Sequence, residues 1–414
     1  MRIGIVLEGG GMRGIYTAGV LQSFLDMHFL ADEVVGVSAG ASIGISYVAM
    51  QSGRGLRTTV DYAGDKRYLS FANYRKTKSF FGMDFIFGDL PDRLDPFDYE
   101  AFQKSPCDFY AGATDIRSGE TVYFGKEHIV SPNLVLRASC SLPMFSPIVA
   151  YQGGEYLDGG LHAPIPLEKA LADGCDKLIA VLTRQHGYRK EPQKAHALYA
   201  RKYRAYPNLV RVLDQRHRIY NAALDTLARM ERDGTAIVVA PQQPLPLDRF
   251  ETKRDRLLQA YRLGAADGQD ALAKAQRDWG LVLPDHLPQI ARERAACAHM
   301  PEQGGPGRRP VTVTVDRPLG SAHPAHPNLL YPVNYGYVAG VLAPDGEEQD
   351  AYVLGVAEPV SSFTGEKVAV IHRKNDVEDK WVVAPAGATF TAAEIAAQVA
   401  FQERYFDTEI EMLP

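Results

Sequence analysis

Ser38 is the residue best placed to do chemistry. It sits in Gly36-Val37-Ser38-Ala39-Gly40, between the β-branched run Val34-Val35 and a small-residue stretch, Ile43 to Met50, that reads as a helix. A serine on a sharp strand-to-helix turn projects its hydroxyl at the carboxyl edge of a sheet, and the glycines two before and two after it relieve the crowding of such a turn. The first amides of the new helix point at the same spot, with the positive end of the helix dipole behind them. Two other stretches could serve this serine. Gly9-Gly10-Gly11-Met12-Arg13-Gly14 offers bare backbone N–H groups, at Gly10, Gly11 and Met12, for a developing oxyanion, and Arg13 adds positive potential. As a helix-start residue, Arg13 could equally be solvated or ion-paired. Asp158 ends a short strand before Gly159-Gly160, which places a carboxylate beside bare backbone; on its own that pattern is also a common turn cap.

The elements around these residues are those of an α/β sheet with mainly parallel strands. Ile3 to Leu7 is an apolar strand, the Gly-rich turn follows, and a helix then carries Val20, Leu21, Phe24 and Leu25 on one face. Gly9-x-Gly11-x-x-Gly14 also fits a dinucleotide fingerprint, but that fingerprint expects an acidic residue at the end of the next strand, where this chain has the serine turn. Residues 54–108 are aromatic, basic and loop-rich, suited to a cap over the site, to a lipid interface, or to ordinary packing. Residues 109–115 and 121–124 read as a hairpin, Asn133 to Ser141 and Phe250 to Trp279 as helices, and Lys177 to Thr183 and Thr235 to Ala240 as buried strands. Residues 184–218 carry ten Lys/Arg against two acidic residues. Such a stretch is expected to be a solvated helix surface, with contact to anionic head groups as the alternative.

The 414 residues are enough for two or three domains, and 46 % hydrophobic content excludes a disordered chain. Net charge is −5, unevenly spread: from Val311 onward there are 15 acidic against 6 Lys/Arg residues. Pro301 to Pro310 is Pro/Gly-rich and nearly free of large apolar residues, so the chain divides into residues 1–300, a linker 301–310 and residues 311–414. Cys107, Cys140, Cys175 and Cys297 lack CxxC spacing and are expected to be reduced. With no charged-then-apolar leader and no apolar run better explained by a membrane span than by the serine turn, the expected location is the cytoplasm, with contact to a membrane surface.

Taken together and in order, Gly9 to Gly14, Gly36 to Gly40 and Asp158 to Gly160 resemble the patatin-like phospholipase family, and the likeness extends to about residue 295, through Ala138-Ser139-Cys140-Ser141-Leu142-Pro143. The resemblance implies a three-layer α/β/α fold and a Ser–Asp dyad. Ser38 would be the nucleophile and Asp158 its base. Gly9, Gly10, Gly11 and Arg13 would form the oxyanion hole, and Gly14, Gly36, Gly40, Gly159 and Gly160 are the motif glycines. The implied activity is hydrolysis of phospholipid or other lipid esters without a cofactor, and no nucleic-acid partner is expected. The chemistry is coherent: a hydroxyl needs a base to become a nucleophile, and a partly desolvated carboxylate can supply it where the oxyanion hole carries most of the stabilisation. A histidine triad through His162, His186 or His217 is the competing arrangement.

Residues 311–414 carry Tyr331-Pro332-Val333-Asn334-Tyr335-Gly336, then Asp345-Gly346-Glu347-Glu348-Gln349-Asp350, then Asp376 and Lys380. Carboxylates on loops of a small β-rich unit suit a hard divalent ion, and otherwise form a solvated acidic turn. The pattern resembles soluble inorganic pyrophosphatase, with Glu347 and Glu348 standing where that family has an aspartate and a proline. The resemblance implies an OB-like barrel. Asp345, Glu347, Asp350 and Asp376 would hold Mg²⁺, and Tyr335, Lys380 and Arg317 would contact phosphate. Two functions follow for this unit: a Mg²⁺-dependent diphosphate hydrolase, or a non-catalytic phosphate- or metal-binding module beside a lipid-binding scaffold.

Overall fold

The computed structural model describes residues 1–288, 310–323, 326–343, 348–373, 379–404 and 406–413. The chain divides into two compact units, Met1–Glu293 and Arg294–Pro414. The division falls a few residues before the expected linker, of which residues 301–309 lie outside the described part, as does Cys297.

In the first unit eight strands form one mixed sheet. They are β1 (Ile3–Leu7), β2 (Glu33–Val37), β3 (Asp108–Asp115), β4 (Thr121–Phe124), β5 (Val149–Tyr151), β6 (Gly154–Asp158), β7 (Lys177–Val181) and β8 (Ala236–Val239), in the order β5-β6-β3-β2-β1-β7-β8 with β4 beside β3. The centre is parallel (β3-β2-β1-β7-β8), and the pairings of β3 with β4 and β6, and of β5 with β6, are antiparallel. Strands covered on both faces read as continuous apolar runs, and β1 and β2 are buried along their whole length. Alternation sends Ile3, Ile5 and Leu7 into one core and Val6 into the other. The first core is completed by the helices Gly14–Asp26, Ala39–Val48 and Arg254–Trp279, the second by Leu167–Ala172 and Pro207–Arg232, which makes three layers.

Helices Gly14–Asp26 and Arg254–Trp279 cross at very short range. A Cβ on Gly19 would stand 2.0 Å from the Tyr261 carbonyl oxygen, and one on Gly264 would stand 2.1 Å from that of Tyr16. Residues 54–97 fold as short helices, one of them a π-helical segment, Phe85–Leu94, that contains Pro91.

The second unit holds a small pair, β10 (Ala322–His323) and β11 (His326–Leu330), and a six-stranded sheet: β9 (Pro310–Arg317), β12 (Asn334–Leu342), β13 (Glu348–Val353), β14 (Ser362–Arg373), β15 (Lys380–Ala384) and β16 (Thr408–Met412). Its pairings run β9-β12-β13-β15-β14 and return from β14 to β9. The helix Ala392–Glu403 begins with a capping box, Thr391 with Glu394, and ends with Glu403 buried against Arg373 (Nε–Oε2 2.9 Å) and the Tyr352 hydroxyl (2.5 Å).

Candidate active site

β3 brings the site together. Val37 pairs with Gly112, and on the next rung Asp158 pairs with Ala113. The ends of β2 and β6, 121 residues apart in sequence, therefore meet on one strand. Ser38 has φ 54 and ψ −131, a region that side chains avoid and that active sites use, at a cost of about 1–3 kcal/mol. The two glycines of the turn are required by its closeness: a Cβ at Gly36 would lie 2.7 Å from the Ala41 nitrogen, and one at Gly40 would lie 2.7 Å from the Glu8 carbonyl oxygen. The Ser38 amide donates to Ser139 Oγ (2.8 Å), which donates in turn to the Gly112 carbonyl (2.7 Å).

Asp158 is 2 % exposed. Its amide donates to the Ser141 carbonyl (2.8 Å), and its carbonyl accepts from Thr114 Oγ1 (2.9 Å). Oδ1 accepts from the Gly160 amide (2.8 Å), as in a turn cap, while Oδ2 is buried without a well-formed hydrogen bond. Burial pushes this carboxyl above the ordinary carboxylate range. The adjacent Ser38 hydroxyl, Arg216, the Gly160 amide and Arg249 pull it the other way. Ser38 and Asp158 line one cavity.

The Gly-rich turn lies against the serine. A Cβ on Gly9 would stand 2.7 Å from Ser38 Cβ, and Gly14 packs as closely on Ala39 and Ile43. Gly11 has φ +59, and a Cβ there would meet the Arg249 carbonyl oxygen at 2.9 Å. The amides of Gly9, Gly10 and Gly11 donate to no acceptor among the described residues, whereas the Met12 amide donates to the Arg249 carbonyl (3.3 Å). Met12 is therefore removed from the expected set of oxyanion donors. Among the described residues Arg13 has no ion pair: it is 9 % exposed, its Nε has no partner there, and it lines the polar cavity.

Two cavities meet at Ser38 and share Gly11 and Leu142. One, of about 930 Å³, is mainly apolar. Its walls include Ile15, Ile43, Tyr68, Phe81, Phe87 and Leu90, so the 54–97 segment does cover the site. The other, of about 520 Å³, is lined by Arg13, Arg184, Lys190, Arg216 and Arg249 with Glu8 and Asp158. Three residues of the basic 184–218 stretch thus face a cavity beside Ser38, which corrects the solvated-surface expectation for them; Arg211 and Arg218 are exposed.

Sequence reasoning missed Glu8, Ser139, Tyr220 and Arg249. Glu8 accepts from the Thr183 amide (2.6 Å) and the Tyr220 hydroxyl (2.7 Å). Its place beside the glycine turn was the one local signal. Among the described residues no histidine lines either cavity, and His162 instead sits 3.4 Å from Thr121 Oγ1.

In the second unit Asp350 accepts from Lys380 Nζ (2.6 Å) and from the Tyr335 hydroxyl, and the Arg317 guanidinium lies 5.2 Å from the Tyr335 ring centre. Four predicted residues are brought together; Asp345, Glu347 and Asp376 lie outside the described residues. Among the described residues no three His, Cys, Asp or Glu side chains converge on a metal position, and Asp350 is already held by a lysine. Of the four predicted Mg²⁺ ligands, Asp350 alone is among the described residues.

Residues 5–171 match the sequence model of the patatin-like phospholipase family, and residues 206–278 match a domain of unknown function, DUF6363. The chain is 27 % identical over 196 residues to the uncharacterized protein YjjU of Escherichia coli, which covers 44 % of this chain and 52 % of that protein. It is 25 % identical over 298 residues to the lysophospholipase nte1 of Emericella nidulans, covering 68 % of this chain and 19 % of that one. The chain thus spans about half of the first relative and about a fifth of the second. Among solved structures, an inorganic pyrophosphatase from Ehrlichia chaffeensis aligns over 27 % of this chain and 90 % of its own, at 16 % identity and TM-score 0.22. The sequence matches support a patatin-like phospholipase domain in the first unit. Among the described residues no helix is long and apolar enough to cross a membrane.

Proposed function

We propose that the first unit hydrolyses carboxylic esters of lipids through an acyl-enzyme on Ser38, with Asp158 as the base. The observation that carries this reading is the meeting of the strained Ser38, the buried Asp158 carboxylate and the unoccupied amides of Gly9 to Gly11 around one polar cavity, which shares Ser38 with an apolar one. The acyl chain lies in the apolar cavity. As the Ser38 oxygen attacks the ester carbonyl, its proton passes to Asp158 and the oxyanion is held by the glycine amides, with the dipole of helix Ala39–Val48 behind them. The leaving alcohol takes the proton from Asp158. Water then attacks the acyl-enzyme, giving a proton to Asp158, which passes it to the departing Ser38 oxygen as the carboxylic acid is released, so that both residues return to their starting forms.

Rings run from the exposed Phe71 through Phe80 to Phe250 and on to Phe81 in the cavity wall. With Arg75 and Lys76 exposed beside Phe71, this path supports peripheral contact with a lipid surface. The second unit is read as a small OB-like barrel, supported by its closed circuit of strand pairings, with a non-catalytic role.

Hydrolysis of p-nitrophenyl esters of short and long acyl chains tests the reading. Wild type is expected to turn over and to be indifferent to EDTA, while Ser38→Ala and Asp158→Asn each lose at least about 10³-fold in kcat/KM, the scale on which cooperating catalytic groups fail. Activity that survives Ser38→Ala, or that EDTA removes, would move the chemistry elsewhere.

A further inference from the structure

We propose that the cationic cavity beside Ser38 binds a phosphate monoester, and that this site selects acyl esters whose polar end carries a dianionic phosphate. The choice of substrate rests on the acyl-hydrolase reading; the binding of phosphate does not.

The five cations come from four separate places: Arg13 after β1, Arg184 and Lys190 after β7, Arg216 on helix Pro207–Arg232, and Arg249 before helix Arg254–Trp279. Four of them lie beyond residues 5–171, the segment matched by the patatin-like model. Among the described residues none of the five has a carboxylate within 4.0 Å. Arg13 is nine-tenths buried, lines the cavity and has an unpartnered Nε. Arg216 gives its Nε to the Gly160 carbonyl (3.1 Å), a neutral acceptor. The two carboxylates present, Glu8 and Asp158, favour the charged forms of these side chains, but they are two against five cations and leave the cavity with an excess of positive charge. The cations also feel one another. Burial is the largest effect on both Arg13 and Lys190; Arg184 and Arg249 push Arg13 further down, and Arg216, Arg184 and Arg249 push Lys190, against the opposing pull of Glu8, to about 10 and about 8 respectively. A buried guanidinium without a partner is unfavourable, and a bound anion removes both the missing partner and the mutual repulsion.

The chemistry of the walls selects among anions and against zwitterions. A phosphate monoester brings close to two negative charges and three acceptor oxygens, matched by planar guanidinium forks. A quaternary ammonium would need a free aromatic face, and the tyrosine faces here are taken: Arg184 lies over Tyr188 (4.7 Å to the ring centre) and Lys190 over Tyr220 (5.2 Å). Because the two cavities share Ser38, an ester bound with its acyl chain in the apolar one directs its phosphate end into the other.

The test uses the full chain carrying Ser38→Ala, so that nothing is turned over. Calorimetric titration with glycerol 3-phosphate, inorganic phosphate and glycerophosphocholine is expected to show binding of the first two and at least tenfold weaker binding of the third. Arg184→Gln with Lys190→Gln is expected to weaken glycerol 3-phosphate at least tenfold at unchanged circular dichroism, and Lys190→Arg to restore it in part. In the active chain, 1-acylglycerol 3-phosphate is expected to exceed the matching acylglycerophosphocholine at least tenfold in kcat/KM. Equal affinity for the phosphomonoester and the choline diester, or binding untouched by the double substitution, would overturn the proposal. Tight inorganic phosphate without the preference in turnover would overturn its substrate half and mark a site for free phosphate. Phosphate binding by a chain that hydrolyses no ester would uphold the site and count against the acyl-hydrolase reading alone.

Discussion

Burial raises the Asp158 carboxyl while four neighbours restrain it: Ser38, Arg216, the Gly160 amide and Arg249. At the residue scale this has two consequences. The base must be ionised to work, so kcat/KM on a small neutral ester falls on the acid side as Asp158 protonates, above the ordinary aspartate range of about 4. Arg216→Gln removes a positive charge that favours the ionised form and should move that acid limb to higher pH, as a pH–rate profile reads directly. An unshifted limb would separate Arg216 from the base. The second consequence is for stability. A carboxyl whose folded pKa is raised contributes stability that is fully present below its unfolded pKa and lost as pH rises through the folded value. At neutral pH the folded chain therefore bears a buried charge that Asp158→Asn removes. Thermal unfolding should show the variant with the higher Tm at pH 7 and the difference closing below about pH 4.

Elements hold these residues through bonds that local patterns do not reveal. The Ser38 turn was legible because its signal is local: two glycines, a strand before and a helix after. The local pattern at Asp158 shows only a turn carboxylate, and the pairing with Ser38 comes from the resemblance alone, because that pairing is set by the rungs of β3, which are not written in either strand alone. Nothing in the local pattern around Ser139 gives it a role. It accepts from Ser38 and donates to Gly112, so it ties the turn to β3. Ser139→Ala should leave the buried Ser38 amide without an acceptor, at a cost of about 1–3 kcal/mol in unfolding free energy. Because the serine then loses its fixed direction, kcat on p-nitrophenyl esters should drop about 10- to 100-fold with KM little changed. An equal kcat in the variant would show that helix Ala39–Val48 alone sets the turn. The crossing at Gly19 and Gly264 acts at the same scale. It seats helix Arg254–Trp279 against helix Gly14–Asp26, and the segment just before it delivers the Arg249 carbonyl to Met12.

Over the whole molecule, charge divides along the chain. Composition showed an acidic C-terminal part and a basic remainder, and the fold explains part of the basic excess: five cations from distant segments converge beside one serine. That convergence was illegible in sequence because Arg184, Lys190, Arg216 and Arg249 each look like an ordinary polar-surface residue. Long-range packing alone brings them together. The second unit shows the converse. Its motif residues Tyr335, Asp350, Lys380 and Arg317 do gather, yet the gathering is a lysine–carboxylate pair beside two aromatic rings, Tyr331 and Tyr335. The proposed ester chemistry rests on one atom, Ser38 Oγ, in the first unit. The most direct measurement is therefore mass spectrometry of the full chain after reaction with a lipid-like fluorophosphonate, which phosphonylates an activated serine. The predicted result is one adduct per chain, on the peptide containing Ser38, absent from Ser38→Ala and formed far more slowly by Asp158→Asn. An adduct on another residue, or one that persists in Ser38→Ala, would contradict the account.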